Sequence, residues 1–213
     1  MNKNALKKKI FNQIKKENSI DFIRSLVRLP SESGGPTLAQ ELVMQKLDMS
    51  IDKFAANVKE VEHLPDYCPL DASEVLDERA YNLVGIKKGR KKGKSLMLFG
   101  HIDTQPTAGE NIVKRYEGSL TNQRIYGHGI ADDKCGIAMM LLAAEAVFSE
   151  TELDGDLILM SVLGKRGGSA GTASAIARVI KQTWEFMFIH PKQDTDSKKS
   201  KIILWVQLIL LCV

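Results

Sequence analysis

Apolar and polar positions follow two rhythms along this chain, and the change between them falls near residue 81. Before that point the spacing is helical. Leu6, Ile10 and Ile14 recur at i, i+4 and i+8 within residues 3–17, one face of an amphipathic helix. A second helix is predicted from Ser19, as its N-cap, to Leu29, where Pro30 stops it. SESGGP is a turn cluster, and Thr37 with Gln40 makes a capping-box start for TLAQELVMQKLDM. Residues 57–62 alternate weakly, as an edge strand does, and HLPDYCPLDAS is loop by composition.

After residue 81 the apolar runs are short and continuous, the mark of buried strands. YNLVGIKKG and SLMLFG flank a Gly/Lys-rich turn and predict a hairpin or adjacent strands. Residues 134–148 read as a strongly apolar helix, 157–163 as a buried strand, 164–171 as a glycine-rich turn and 172–182 as a helix. A short strand over 184–189 ends in His190-Pro191. That order predicts an α/β fold, a largely parallel mixed sheet flanked by helices with right-handed crossovers. There is no internal repeat.

In such a sheet, ligands bind beyond the carboxyl ends of the strands. His101 and Asp103 follow the Leu96–Phe99 run there, and Gly127-His128-Gly129 delivers Asp132 and Asp133 just before a helix. An imidazole and a carboxylate at one edge suit a borderline divalent cation. The expected division puts His101 on the ion and Asp103 behind it, fixing its tautomer. His190, at the end of another strand, makes a third candidate. His101, Asp132 and His190 together form a two-nitrogen, one-oxygen set with a position left for water, the layout of a catalytic zinc site. The competing reading is structural: a lone strand-end histidine is usually a satisfied polar group, and Asp132 or Asp133 simply caps the helix that follows. His128 reads as loop rather than ligand.

Composition narrows the partners. The chain has 213 residues, 44% hydrophobic and 26% charged, enough for one domain or slightly more. The net charge of +4 sits in local runs such as KKGRKKGK, with no interleaved aromatic residues for base stacking, so no nucleic-acid partner is expected. Three cysteines without a CxxC spacing favour a reducing, cytoplasmic setting. The N-terminal residues lack the apolar run of a secretory signal. The most apolar stretch, 202–213, falls short of the ~20 residues a membrane span needs.

FGHIDTQP followed by YGHGIADDKCGIA resembles the paired signatures of the zinc amidohydrolases and peptidases. That family includes acetylornithine deacetylase, succinyl-diaminopimelate desuccinylase, aminoacylase and carboxypeptidase G. LVRLPSESGGPTLAQELVMQKL is similar to the family's N-terminal helices, and the resemblance covers residues 20–190, about the first half of a member. It implies a zinc-peptidase-like catalytic domain over residues 1–190, incomplete at its C-terminus. It also implies a metal ligand at His101, a bridging carboxylate at Asp132 and an orienting, catalytic carboxylate at Asp103. His190 falls where the family has a carboxylate ligand. Lys165 and Arg166 stand where the family has a Glu-Glu pair, its general base and a ligand of a second metal. Neither cation can serve as that base at neutral pH, and both would repel a second ion. Glu110 and Asp133 are nearby in sequence as substitute bases. Residues 191–213 form an atypical tail, as a truncated or out-of-frame terminus would.

The resemblance therefore implies a metal-dependent hydrolase of amide bonds, of the N-acyl amino acid deacylase, dipeptidase or carboxypeptidase type. Its cofactor would be Zn2+, with Co2+ or Mn2+ suiting the same donors, and its substrate a small amide or short peptide. The alternative is an inactive metal-binding or interaction domain of the same descent. Incomplete sheet edges would favour a homo-oligomer.

Overall fold

The computed structural model describes residues 2–32, 37–55, 63, 81–106, 112–165, 169–180 and 188–189. Three helices open the chain: α1 (Lys3–Gln13), α2 (Lys16–Arg28) and α3 (Thr37–Lys46). Leu6 and Ile10 are buried as their spacing predicts. Helix α2 starts three residues earlier than expected. Ser19 is not its cap: its hydroxyl donates to the Lys15 carbonyl 2.9 Å away, from inside the helix. Nor does Gln40 serve a capping box. Its side chain is buried, donating 3.0 Å bonds to the carbonyls of Tyr81 and Ser161 and accepting one from the Ser161 hydroxyl at 2.6 Å. A buried amide must find partners in the core, and here they tie α3 to the sheet.

The strands are β1 (Ser50–Ala55), β2 (Tyr81–Lys87) and β3 (Leu96–His101), then the small hairpin pair β4 (Ser119–Thr121) and β5 (Arg124–Tyr126), and later β6 (Leu157–Val162) and β7 (Phe188–Ile189). Helices α4 (Ile112–Arg115), α5 (Cys135–Phe148) and α6 (Ala170–Ile180) lie between them. The main sheet runs β1-β2-β6-β3-β7. It is mixed: β1 and β6 pair antiparallel with β2, while β6 and β7 pair parallel with β3.

β2 and β3 are therefore not neighbours, contrary to the hairpin their spacing predicts; β6 lies between them. All six residues of β6 are buried. A strand apolar on both faces belongs in the sheet interior, and β6 displaces the local pairing. The KKGRKKGK turn pairs instead with the acidic loop before β6. Arg90 meets Asp154 at 2.8 Å, Lys91 meets Asp154 at 3.1 Å and Lys88 meets Asp156 at 2.8 Å.

Strand β1 was not anticipated; none of its residues is fully buried, and it lies at the edge of the sheet. The expected strand over 57–62 and the loop over 63–73 lie outside the described residues, apart from His63. Among the described residues, no helix is long and apolar enough to cross a membrane.

The period-2 alternation of β3 and β6 sorts the core into two layers. Leu96, Leu98, Leu157 and Leu159 face α1, α2, α3 and α5. Met97, Ile158, Met160 and Val162 face Ala175 and Val179 of α6. Each buried side chain of this size stabilises the fold by roughly 2 kcal/mol. With helices on both faces, the open edge is at the carboxyl end of β3, where His101 stands.

Candidate metal centre

His101 is the last residue of β3, paired with Val162 of β6. The chain beyond it is held by the segment that leaves α2. The Ser31 hydroxyl donates to the Ile102 carbonyl at 2.8 Å, and the Thr104 N–H donates to the Ser31 carbonyl at 2.7 Å.

The same end of α2 grips the second half of the site. Lys134, the residue just before the apolar helix α5, is fully buried and donates to the carbonyls of Leu26 and Leu29 at 3.0 and 2.5 Å. These are carbonyls of the last turn and C-cap of α2, where a cation is favoured. Burial nevertheless pulls the Lys134 ammonium down to about 8.

Gly129 turns the chain with φ 70°, and its carbonyl accepts the Lys134 N–H at 3.0 Å. A Cβ at Gly129 would lie 2.0 Å from Thr104 Cγ2. Gly129→Ala combines a left-handed backbone with that clash, and is expected to cost about 2–3 kcal/mol. A urea denaturation curve checks it.

Asp132 and Asp133, adjacent on this turn, part company. The Asp133 carboxylate is turned inward: a Cβ would fall 2.6 Å from its Oδ2 at Gly100 and 2.2 Å from its Oδ1 at Gly136. Both glycines make room for it. Asp132, half exposed, reaches His101 instead, its Oδ1 3.0 Å from Nε2.

On the other side of the ring, His101 Nδ1 lies 2.9 Å from the Asp103 main-chain carbonyl, which can only accept. That contact fixes the N–H on Nδ1 and turns Nε2 toward Asp132. The Asp103 carboxylate stands behind the ring, its Oδ1 3.6 Å from Nδ1. Among the described residues this buried oxygen has no hydrogen-bond partner, while Oδ2 accepts the Lys165 N–H at 3.2 Å. Burial works against charge on His101, but the Asp103 and Asp132 carboxylates outweigh it and hold its pKa above the ordinary value. Asp132 is shifted the opposite way. Burial pushes its carboxyl up, and hydrogen bonds from Lys165 and His101 more than reverse that.

The donor chemistry fits a divalent ion. A tetrahedral zinc bonded to both His101 Nε2 and Asp132 Oδ1 would hold those atoms about 3.3 Å apart, close to the 3.0 Å observed. The unpartnered Asp103 oxygen beside Nδ1 is the kind of outer carboxylate that steadies a ligating imidazole. Among the described residues, no third His, Cys, Asp or Glu completes a cluster. His190, Glu110 and Arg166 lie outside the described residues. His128 is engaged elsewhere, its Nε2 2.7 Å from the Gln105 carbonyl and its ring edge-on to Tyr116.

Two lysines enter the site in ways the sequence reading did not anticipate. Lys165 Nζ bonds Asp132 Oδ1, the same oxygen that faces His101. Lys134 carries the clearer signal in the sequence: a lone cation heading the run CGIAMMLLAAEAV, where the helix pattern leaves it little but burial.

A mixed α/β sheet covered by helices on both faces, with an imidazole and a carboxylate converging beyond one strand end, defines an α/β domain with a candidate site at the strand end where such sheets bind ligands. The profile of peptidase family M20/M25/M40 matches residues 97–205, just over half of the chain, and the chain belongs to that family. N-formyl-4-amino-5-aminomethyl-2-methylpyrimidine deformylase of Halalkalibacterium halodurans is 30% identical over 168 residues, 76% of this chain and 36% of that protein. Carboxypeptidase G2 of a Pseudomonas species is 31% identical over 120 residues, 56% of this chain and 28% of that protein. The chain thus spans little more than a third, at most, of these two relatives. Human carnosine dipeptidase 1 shares the fold, with a TM-score of 0.60 at 13% identity over 84% of this chain and 38% of that one.

Proposed function

We propose that this chain carries the metal-binding part of a hydrolase that cleaves amide bonds in small N-acyl compounds or short peptides. The observation that carries the reading is the convergence of His101 Nε2 and Asp132 Oδ1 at 3.0 Å beyond β3. Family membership and relatives named as a deformylase and a carboxypeptidase support it.

A divalent ion, zinc by preference, would be held by His101 and Asp132; when bound it supplies Lewis-acid polarisation of an amide carbonyl and acidifies water. His101 contributes the Nε2 lone pair because its proton is held on Nδ1 by the Asp103 carbonyl. Asp103 keeps that ring in place and balances its charge. Asp132 contributes one carboxylate oxygen from a turn pinned by Lys134. His190 is a further ligand in this reading, and cobalt or manganese would suit the same donors.

A second reading has its own observation. Lys165 takes the place of a glutamate in the resemblance and bonds Asp132, and an ammonium does not accept a proton from water. On that reading the domain binds metal without turnover.

Elemental analysis of the purified chain, with assays on N-formyl and N-acetyl amino compounds and dipeptides, separates the two. About one zinc per chain with turnover supports the hydrolase. Zinc without turnover favours the second reading. A folded chain that takes up no divalent ion overturns both.

A further inference from the structure

Lys165 touches both carboxylates that flank His101, through two different atoms. Its main-chain N–H is bonded to Asp103 Oδ2 at 3.2 Å, and its ammonium is bonded to Asp132 Oδ1. The main chain there is well held. Leu163 N–H donates to the buried Asn82 Oδ1 at 3.0 Å, and Gly164 makes the following turn at φ 73°.

Among the described residues, the side chain is held at its far end only by the ion pair. It is 45% exposed, against 9% for the His101 side chain. Of the two side chains that meet Asp132 Oδ1 among the described residues, His101 is buried and Lys165 has solvent to move into.

The oxygen matters more than the residue. Asp132 Oδ1 faces both His101 Nε2 and Lys165 Nζ. An ion bonded to Nε2 and Oδ1 together needs the oxygen that the ammonium now holds, and two cations on one carboxylate oxygen repel strongly at bonding distance. An exposed ammonium–carboxylate pair is weak enough to be displaced by a chelated dication. Binding then becomes an exchange of one cation for another.

We propose that Lys165 is a tethered competitor for the divalent ion: its ammonium occupies the Asp132 oxygen that the ion takes, and the site loads only as Lys165 swings out. The inference rests on the reading of His101 and Asp132 as ligands. It assigns the chain's most evident departure from its family resemblance a role in setting metal affinity.

The test titrates Co2+ and Zn2+ alone into the full chain as wild type, Lys165→Met and Lys165→Arg, by calorimetry and cobalt absorption. Circular dichroism confirms that each variant is folded. Lys165→Met should bind roughly five- to tenfold tighter than wild type, through loss of the exposed pair and of the repulsion between ammonium and dication, and Lys165→Arg should stay close to wild type. A Met variant within about threefold of a wild type that does bind overturns the inference while leaving the ligand reading intact. If neither folded wild type nor the Met variant binds an ion, the ligand reading fails and the inference with it. Acetylation of Lys165, followed by mass spectrometry with the other lysines as internal references, reads the movement directly. Zinc should raise its rate several-fold, and an unchanged or lowered rate overturns the exchange.

Discussion

Lys134→Ala is expected to destabilise the fold by about 3–5 kcal/mol at neutral pH, a large share of the 5–15 kcal/mol a domain of this size usually has. Two effects add. Truncating a fully buried four-carbon stem leaves a cavity. Removing the ammonium takes one of two donors from the Leu26 carbonyl, which keeps the Leu29 N–H, and a donor from the half-buried Leu29 carbonyl, and a buried unsatisfied carbonyl costs roughly 1–3 kcal/mol. Relief of the buried charge offsets part of this. Lys134→Met keeps most of the volume and loses only the donor, so it should cost less, about 1–2 kcal/mol. Urea denaturation of the three proteins checks the order.

The pH dependence has a definite sign. Burial lowers Lys134 from 10.5 in the unfolded chain to about 8 in the fold. Between those values the unfolded state binds more protons than the folded one, so stability contributed by this residue rises with pH. Wild type should gain on Lys134→Met from pH 8 toward 10.5, and lose that gain as the pH falls back through 8. A difference that is flat, or runs the other way, removes burial as the dominant influence on this group.

The other large effect concerns the ion. His101→Ala should weaken zinc or cobalt binding by roughly a thousandfold, because it deletes a direct ligand, whereas loss of an outer partner typically costs 10- to 100-fold. Asp103→Asn keeps the shape but removes the charge behind the imidazole, and should fall in that milder range. Competition against a chromophoric chelator measures both. Equal losses in the two variants would mean that Asp103 contacts the ion itself. An unchanged affinity in His101→Ala would place the ion elsewhere.

His101, Asp103 and Asp132 were legible because each is announced locally. A continuous apolar run ending at Gly100 marks the strand end, and a glycine turn followed by an apolar helix marks the other segment. Both signals depend on neighbouring residues only. Strands β2, β3 and β6 and helices α5 and α6 were legible for the same reason, since their periodicity is a property of the segment itself. The edge strand β1 was missed because its six residues, SIDKFA, bury too little to stand out from a helix end.

Sequence periodicity by itself determined the longer strands and helices of the α/β half, though not the short α4, β4 and β5, and put His101 at a strand end. Only the tertiary structure decided who sits beside whom. β6 enters between β2 and β3 because burying two apolar faces outweighs the short connection between those strands. Lys134 finds its acceptors on α2, more than a hundred residues earlier. Lys165 meets Asp132 only because β6 and the 127–134 turn end at the same sheet edge. Hydrophobic patterning is a local code, read residue by residue. A partner for a buried or paired charge is chosen by packing, and packing is settled by the whole chain at once.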